Sequence, residues 1–337
     1  MVVYRVTVVM ILFVVWGIAS VMAAEKREEI LISTSGNMDI SKNGGHVWIK
    51  AFMESLKASE IAVNFYPGSS LGKDNARTDL VQLGIVQVNM TGPQEINPYS
   101  SVFYQLKMPF LFDSDTHFRK FWEKTDFIKH VNEELKDRNM RVVGYASLGG
   151  MTGLFNTSHG ITKIEDLTGL RLRALDSIQL AIINSWGLQG TQVAWEEVAQ
   201  ALETGVVDGY INPPLVPIMF GHTNQIKYFT DIRLGVSQRV IVVAADWYQN
   251  LSRARKEAVD KAVVAGQLEN ARWERMMRTK EHRILQEAGI MIVPLTKEER
   301  QSFVDKTKAY FAQNQQSVVN NEVRDWIKDT RSGGMDK

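Results

Sequence analysis

Residues 204–214 read TGVVDGYINPP, and without a gap they match residues 83–93, LGIVQVNMTGP. Gly84 aligns with Gly205, Val86 with Val207 and Thr91 with Asn212. In each copy a glycine able to close a helix precedes a short apolar run and a proline-bearing exit loop, the pattern of a helix feeding a strand. A repeat of that junction predicts an α/β chain of two lobes, each a β-α-β-α-β unit around a mostly parallel sheet.

The elements on either side fit. Upstream of the second copy, LRLRAL (170–175) reads as a strand, and Ile178, Ala181, Ile182 and Ser185 mark a helix face. TQVA (191–194) is short and extended, and WEEVAQALETG (195–205) is a helix stopped by Gly205. Upstream of the first copy, ILISTS (30–35) is a strand, Ile49, Phe52, Met53 and Leu56 recur at helical spacing, IAVNFY (61–66) is a second strand, and residues 75–83 form a helix. Residues 251–289 then carry helical periodicity without a break, with Gly289 as the stop, long enough for one helix to cross both lobes. IMIVPL (290–295) returns as a strand, and a last helix starts at Lys297. The expected division is 24–147 with about 238–276 for the first lobe and 148–237 with about 277–330 for the second, leaving 331–337 as a frayed tail.

The first 23 residues read as an export signal: Arg5, an apolar run from Val6 to Val21, and small residues ahead of a cut near Ala23. A membrane anchor is the competing reading. The chain of 337 residues has no cysteine, which fits a bacterial periplasm better than a eukaryotic secretory route. It holds 39 Lys+Arg against 38 Asp+Glu, so without Arg5 the mature part is formally neutral and offers no basic field for nucleic acid. Six histidines (His46, His117, His130, His159, His222, His282) form no metal-spaced pair, and neither a thiol nucleophile, a P-loop nor a Gly-x-Gly-x-x-Gly is present. These absences speak against an enzyme, and no cofactor is expected.

In GLRLRAL (169–175) two arginines alternate with apolar residues. Ligands of such folds bind in the crevice outside the strands' carboxyl ends, where Arg173 ends one strand and Asn212 another. A guanidinium held there matches a carboxylate through two parallel N–H donors, and an amide beside it can fix the remaining oxygen. The alternative is an internal ion pair of Arg173 with Asp208 or Asp176, and spacing alone leaves both open. For Arg171 a solvated or internally paired side chain is the simpler reading.

LTGLRLRAL (167–175) followed by 195–214 resembles the signature region of the solute-binding proteins of tripartite ATP-independent periplasmic (TRAP) transporters, the dicarboxylate-type branch. VNFYPGSSLG, LVQLGIVQVNM and MPFLF resemble that family's first-lobe markers, in the same order. The resemblance implies a two-lobed periplasmic clamp that captures a small organic acid and delivers it to a membrane permease. It places the carboxylate-binding arginine at Arg173, the motif asparagine at Asn212 and the preceding aromatic residue at Trp195. Three departures stand out: Thr152 or Gly153 sits where many members carry a second cation, Tyr210 and Ile211 replace a polar pair, and Leu234 lies near a position often held by histidine. All remove charge or polarity, so the expected ligand is a monocarboxylate with an apolar or aromatic body. From the first lobe Thr91, Gly92 and Pro93 are expected at the crevice, together with the loop from Ser35 to Asn37. The expected state is a monomer. A ligand-sensing subunit using the same clamp is not separated from a transport receptor by the sequence.

Overall fold

The computed structural model describes residues 29–36, 38–59, 61–314 and 319–331. The expected leader, Asn37 and residues 332–337 of the expected tail lie outside the described residues. Four strands open the chain: β1 (Glu29–Thr34), β2 (Ala62–Tyr66), β3 (Val88–Thr91) and β4 (Met140–Ser147). Five follow: β5 (Gly153–Asn156), β6 (Leu172–Ala174), β7 (Thr191–Gln192), β8 (Gly209–Asn212) and β9 (Tyr228–Thr230), then β10 (Gln238–Ala244) and β11 (Met291–Val293). They form a five-stranded sheet in the order β2-β1-β3-β10-β4 and a six-stranded sheet in the order β11-β9-β5-β8-β6-β7.

The repeated junction has a counterpart in this topology. β1 runs parallel to β2 and β3 in the first sheet, and β6 runs parallel to β7 and β8 in the second. An antiparallel strand then follows in each, β10 beside β3 and β5 beside β8. Each sheet is mostly parallel, as expected, with one reversed strand, β10 in the first and β5 in the second, the strand by which the chain enters from the other lobe. β10 shows why it is central: from Val240 to Ala244 every residue is buried, the continuous apolar run of a strand covered on both faces.

The chain crosses between the sheets after β4 and again before β10, and the two crossings are tied together. Leu148 N donates to Ser237 O at 3.0 Å, Thr152 N to Gly235 O at 2.8 Å, and Leu234 N to Thr152 O at 2.9 Å. A third crossing is the helix Arg253–Arg278. Its buried positions, Val259, Ala262, Gly266, Asn270, Trp273, Glu274 and Met277, recur at helical spacing. Gly266 meets the Trp48 ring of the helix Gly44–Leu56, and Asn270 Nδ2 donates to Gly44 O at 2.8 Å and Ser147 O at 3.1 Å. Its far end reaches the other lobe, where Trp273 and Met277 pack with Leu215 and Met219.

Two helices differ from expectation. The long run to Gly289 is broken at Thr279 and Lys280, and a separate helix follows at Glu281–Glu287. The Thr279 hydroxyl donates back to Met276 O at 3.0 Å, a side-chain bond that helps end the helix. At the other end of the chain, Phe303 and Phe311 of the helix Lys297–Gln313 pack in the second lobe. A further helix, Asn321–Thr330, returns to the first, where Val323 and Ile327 join Phe118 and Phe121. Its residues were expected in the second lobe. Only the packing of its apolar stripe decides otherwise. Among the described residues no helix is long and apolar enough to cross a membrane.

Candidate functional site

β6 and β8 lie side by side, with Leu172 opposite Gly209 and Arg173 opposite Tyr210. Gly209 is required for the close approach of β5, since a Cβ there would stand 2.0 Å from Phe155 O. The strand ends open onto a cavity of about 240 Å³ between the lobes. Arg173, Asn212 and Trp195 line it from the second lobe, and Ser35, Gly92 and Pro93 from the first. Thr152 lines it at the crossing.

Arg173 is 1% exposed. Its Nε donates to Val193 O at 3.0 Å, its guanidinium lies 5.6 Å from the centre of the Trp195 ring, and its Nη2 is buried without a partner among the described residues. The two carboxylates that competed for it are engaged elsewhere. Asp208 binds Arg171, through Nη2 at 2.7 Å and Nε at 2.8 Å. Asp176 pairs with Lys107 and caps the helix Ser177–Ser185 by accepting from Ile178 N and Gln179 N, both at 3.0 Å. Burial lowers the Arg173 pKa to about 10, with Asp176 the leading opposing influence, so the group is still charged at neutral pH. His222, beneath Trp195, is pushed down to about 4 by burial and then by Arg173, so it is neutral and adds no second positive charge beside the guanidinium.

Asn212 Nδ2 is likewise buried without a protein partner. Ser237 Oγ and a Gln238 side-chain oxygen, at the start of β10, complete a group of four such atoms on residues lining this cavity. Polar atoms taken from water without partners are costly, so their convergence on one cavity marks a place built to bind a polar molecule.

Two expected residues are not in the lining. Tyr210 is fully buried beneath Trp195, its hydroxyl 3.2 Å from His222 Nδ1. It lies two residues deeper in β8 than Asn212, and its place is under the wall, not in it. Thr91 is also fully buried, with Thr78 Oγ1 donating to its hydroxyl at 3.4 Å. Strand alternation turns Thr91 inward and puts Met90 and Gly92 at the cavity. The Thr152 hydroxyl donates to Gly235 O at 3.1 Å, so the residue in the second-cation position is tied to the crossing.

The sequence reading missed a charged pair on the first-lobe side. Arg239 Nη2 donates to Asp74 Oδ1 at 2.9 Å, to Asp74 Oδ2 at 3.0 Å and to Ser35 Oγ at 2.8 Å. Arg77 holds Asp74 from the other side. Burial alone would raise the Asp74 carboxyl, but Arg239 and then Arg77 outweigh it and keep it below its ordinary range. The one available signal was Arg239 beside the apolar run of β10, and its partner lies 165 residues earlier. Apolar side chains fill much of the second-lobe wall, among them Leu175, Ile178, Ile182, Ile211 and Phe220, with Leu234 at the crossing. Among the described residues no cluster of His, Asp or Glu has the makings of a metal site.

Residues 37–317 match the profile of bacterial extracellular solute-binding proteins, family 7 (DctP). The sialic acid-binding periplasmic protein SiaP of Vibrio cholerae is 27% identical over 63% of this chain and 65% of its own length. The chain spans a little under two thirds of the length of the first curated relatives it matches. Among solved structures, a TRAP periplasmic solute-binding protein of Shewanella oneidensis with bound succinate superposes with a TM-score of 0.81 at 17% identity, covering 90% of this chain and 99% of that one. Another from Anaerococcus prevotii, with bound glucuronate, gives 0.79 at 17% identity, covering 90% and 98%. At such identity the likeness carries the two-lobed clamp fold alone.

Proposed function

The chain belongs to family 7 of the bacterial extracellular solute-binding proteins, and from that premise we propose that it is the periplasmic receptor of a TRAP transporter, capturing a small organic acid between its lobes. The observation that carries this reading is Arg173, a buried guanidinium with no carboxylate partner among the described residues and an unbonded Nη2 at the cavity. The ligand's carboxylate completes it, Asn212 takes a second oxygen, and Trp195 forms the wall beside the pair. Bridging contacts exist only when the lobes are closed, so the acid shifts the population toward the closed form, which then docks on a membrane permease. Membership of a binding-protein family supports a receptor over an enzyme.

The apolar second-lobe wall, with Ile211 and Leu234 where family members are often polar and Thr152 where many carry a cation, favours a monocarboxylate with an apolar or aromatic body. The known relatives' ligands include sialic acid, succinate and glucuronate, so the class of acid is the finer part of the proposal. Calorimetry on a panel of monocarboxylates, dicarboxylates and sugar acids tests it. Monocarboxylates with an apolar or aromatic body should bind most tightly, and tighter binding of a dicarboxylate or a sugar acid refutes the ligand class while leaving the receptor standing. Arg173→Ala should weaken the best acid by about 3–5 kcal/mol, the cost of leaving a buried anion unpaired. Wild-type affinity in that variant refutes the receptor reading itself.

A further inference from the structure

Lys107 lines the cavity from the first-lobe side, and its ammonium pairs with Asp176 of the second. It stands at the seam between the lobes: its neighbour Leu106 belongs to the first-lobe core and Met108 to the second-lobe core. With the Asn97 amide turned so that both its ends are satisfied, Asn97 accepts from Lys107 Nζ at 2.6 Å and donates to Pro93 O at 3.2 Å, which holds the ammonium in place. Both oxygens of Asp176 are then in use, Oδ1 by the backbone of Ile178 and Gln179 and Oδ2 by Lys107. The pair is mostly out of water, its side chains 14% and 19% exposed.

Asp176 is the leading negative charge acting on Arg173. The same nearness works against a visiting anion: a carboxylate arriving at Arg173 Nη2 meets the field of Asp176 in a cavity where water screens little. We infer that Lys107 is a positioning residue for the bound acid, neutralising Asp176 so that the Arg173 subsite keeps one net positive charge, two cations against one carboxylate. This inference rests on the receptor reading above and deepens it. Lys107 acts through Asp176 and makes no contact with the acid, since Asp176 and Asn97 hold its ammonium. Thr152 brings no charge to the cavity from the crossing, and Lys107 brings one from the opposite lobe. Because that charge is supplied at the seam, the balance at Arg173 is complete only where the lobes meet, and anion binding is thereby coupled to closure.

The test is calorimetric titration at low ionic strength with isovalerate, phenylacetate, benzoate, succinate and glucuronate, the acid that wild type binds most tightly being carried through a set of variants. Lys107→Met should weaken it roughly tenfold, because an unbalanced like charge beside a site shifts its equilibrium by about one pK unit or more. Lys107→Arg keeps the charge and should recover most of the loss. Asp176→Asn keeps a good helix cap and removes the negative charge, so it should bind the acid more tightly than wild type. The decisive variant is the double one, Lys107→Met with Asp176→Asn, which should bind far better than Lys107→Met alone, a rescue that a misfolded protein does not show. A double variant as weak as Lys107→Met means that Lys107 touches the acid or serves packing, and overturns the inference. Equal weakening in Lys107→Met and Asp176→Asn means that the pair only latches the lobes, and wild-type affinity in Lys107→Met means that it does neither; each also overturns it. In all three cases the receptor reading stands or falls separately, on Arg173→Ala. If wild type binds none of these acids, both fall.

Discussion

Asp208 binds Arg171 through Nε at 2.8 Å and Nη2 at 2.7 Å, and also accepts from the Arg171 backbone N at 2.9 Å. The pair occupies one of the two carboxylates that the sequence left open as partners of Arg173, two residues on. Arg171 stands in solvent while Arg173 is buried, so two arginines of one short stretch have opposite fates.

Asp208→Asn separates the two roles. The exposed pair contributes little to stability. Its hydrogen bonds from Arg171 hold the Asp208 carboxyl below its ordinary value of 3.8, so whatever it contributes is present above that pH and fades as the pH falls through the lowered value. The variant should show a slightly lower thermal midpoint at neutral pH and an unchanged ligand-induced shift in thermal melts. A large loss of acid binding would mean that Arg171, not Arg173, faces the ligand.

Trp195 is half-buried, with Arg173 5.6 Å from its ring centre and Phe220 packed edge-on at 4.7 Å. Trp195→Phe keeps a ring under the guanidinium and should change affinity about threefold or less. Trp195→Ala removes wall and ring together and should weaken binding roughly tenfold, in line with about 0.5–2 kcal/mol for a partly desolvated cation–π contact. Equal affinities by calorimetry would leave Trp195 as packing only.

Lys73 and Glu197 join the two lobes beside the cavity, Nζ to Oε1 at 3.1 Å, with side chains 55% and 58% exposed. Contact between them requires closure. Lys73→Glu should weaken acid binding a few-fold at low ionic strength, the double exchange with Glu197→Lys should restore it, and high salt should abolish the difference. Indifference of affinity to the single reversal at low salt refutes a role in closure.

Gly266 lies where the helix Arg253–Arg278 crosses Trp48, and a Cβ there would stand 2.6 Å from the indole. Alanine is the better helix former by about 1 kcal/mol. The clash with a fully buried ring outweighs it, and Gly266→Ala should destabilise the protein by about 1–3 kcal/mol in urea denaturation. A stabilised variant would show that the two helices can separate without cost.

Glu281 accepts from the Gly150 backbone N at 2.8 Å, at the first crossing between the lobes. Burial pushes its carboxyl from 4.5 to about 8, with the Gly150 N–H and Arg278 pulling back and Asp115 and Asp231 adding to the rise. Asp115, buried with Glu274 close by, is itself raised to about 7. A raised acid favours the folded state fully below its unfolded pKa and loses that contribution as the pH rises through the folded value. For Glu281 the loss runs from about pH 5 to about pH 8, at about 1.4 kcal/mol per pH unit. Glu281→Gln keeps an acceptor for Gly150 and does not titrate, so its stability should fall less across that window in urea denaturation. Parallel curves for variant and wild type would refute the assignment.

The two lobes, the sequence of strands and helices within each copy of the repeated junction, and the candidacy of Arg173, Asn212 and Trp195 were legible in the chain, because alternation, helical spacing and stop residues act over a few neighbouring positions. Distant partners lay beyond that reach. Whether Arg173 met Asp208 or a cavity depended on which way two strands turned their side chains. Arg239 became a cavity residue only when β10 brought it to Asp74, and Tyr210 and Thr91 left the lining because a wall residue and a strand face intervened. The reversed strand in each sheet and the return of the last helix to the first lobe have the same origin: the local pattern specifies an apolar face, and the assembled core decides what that face meets.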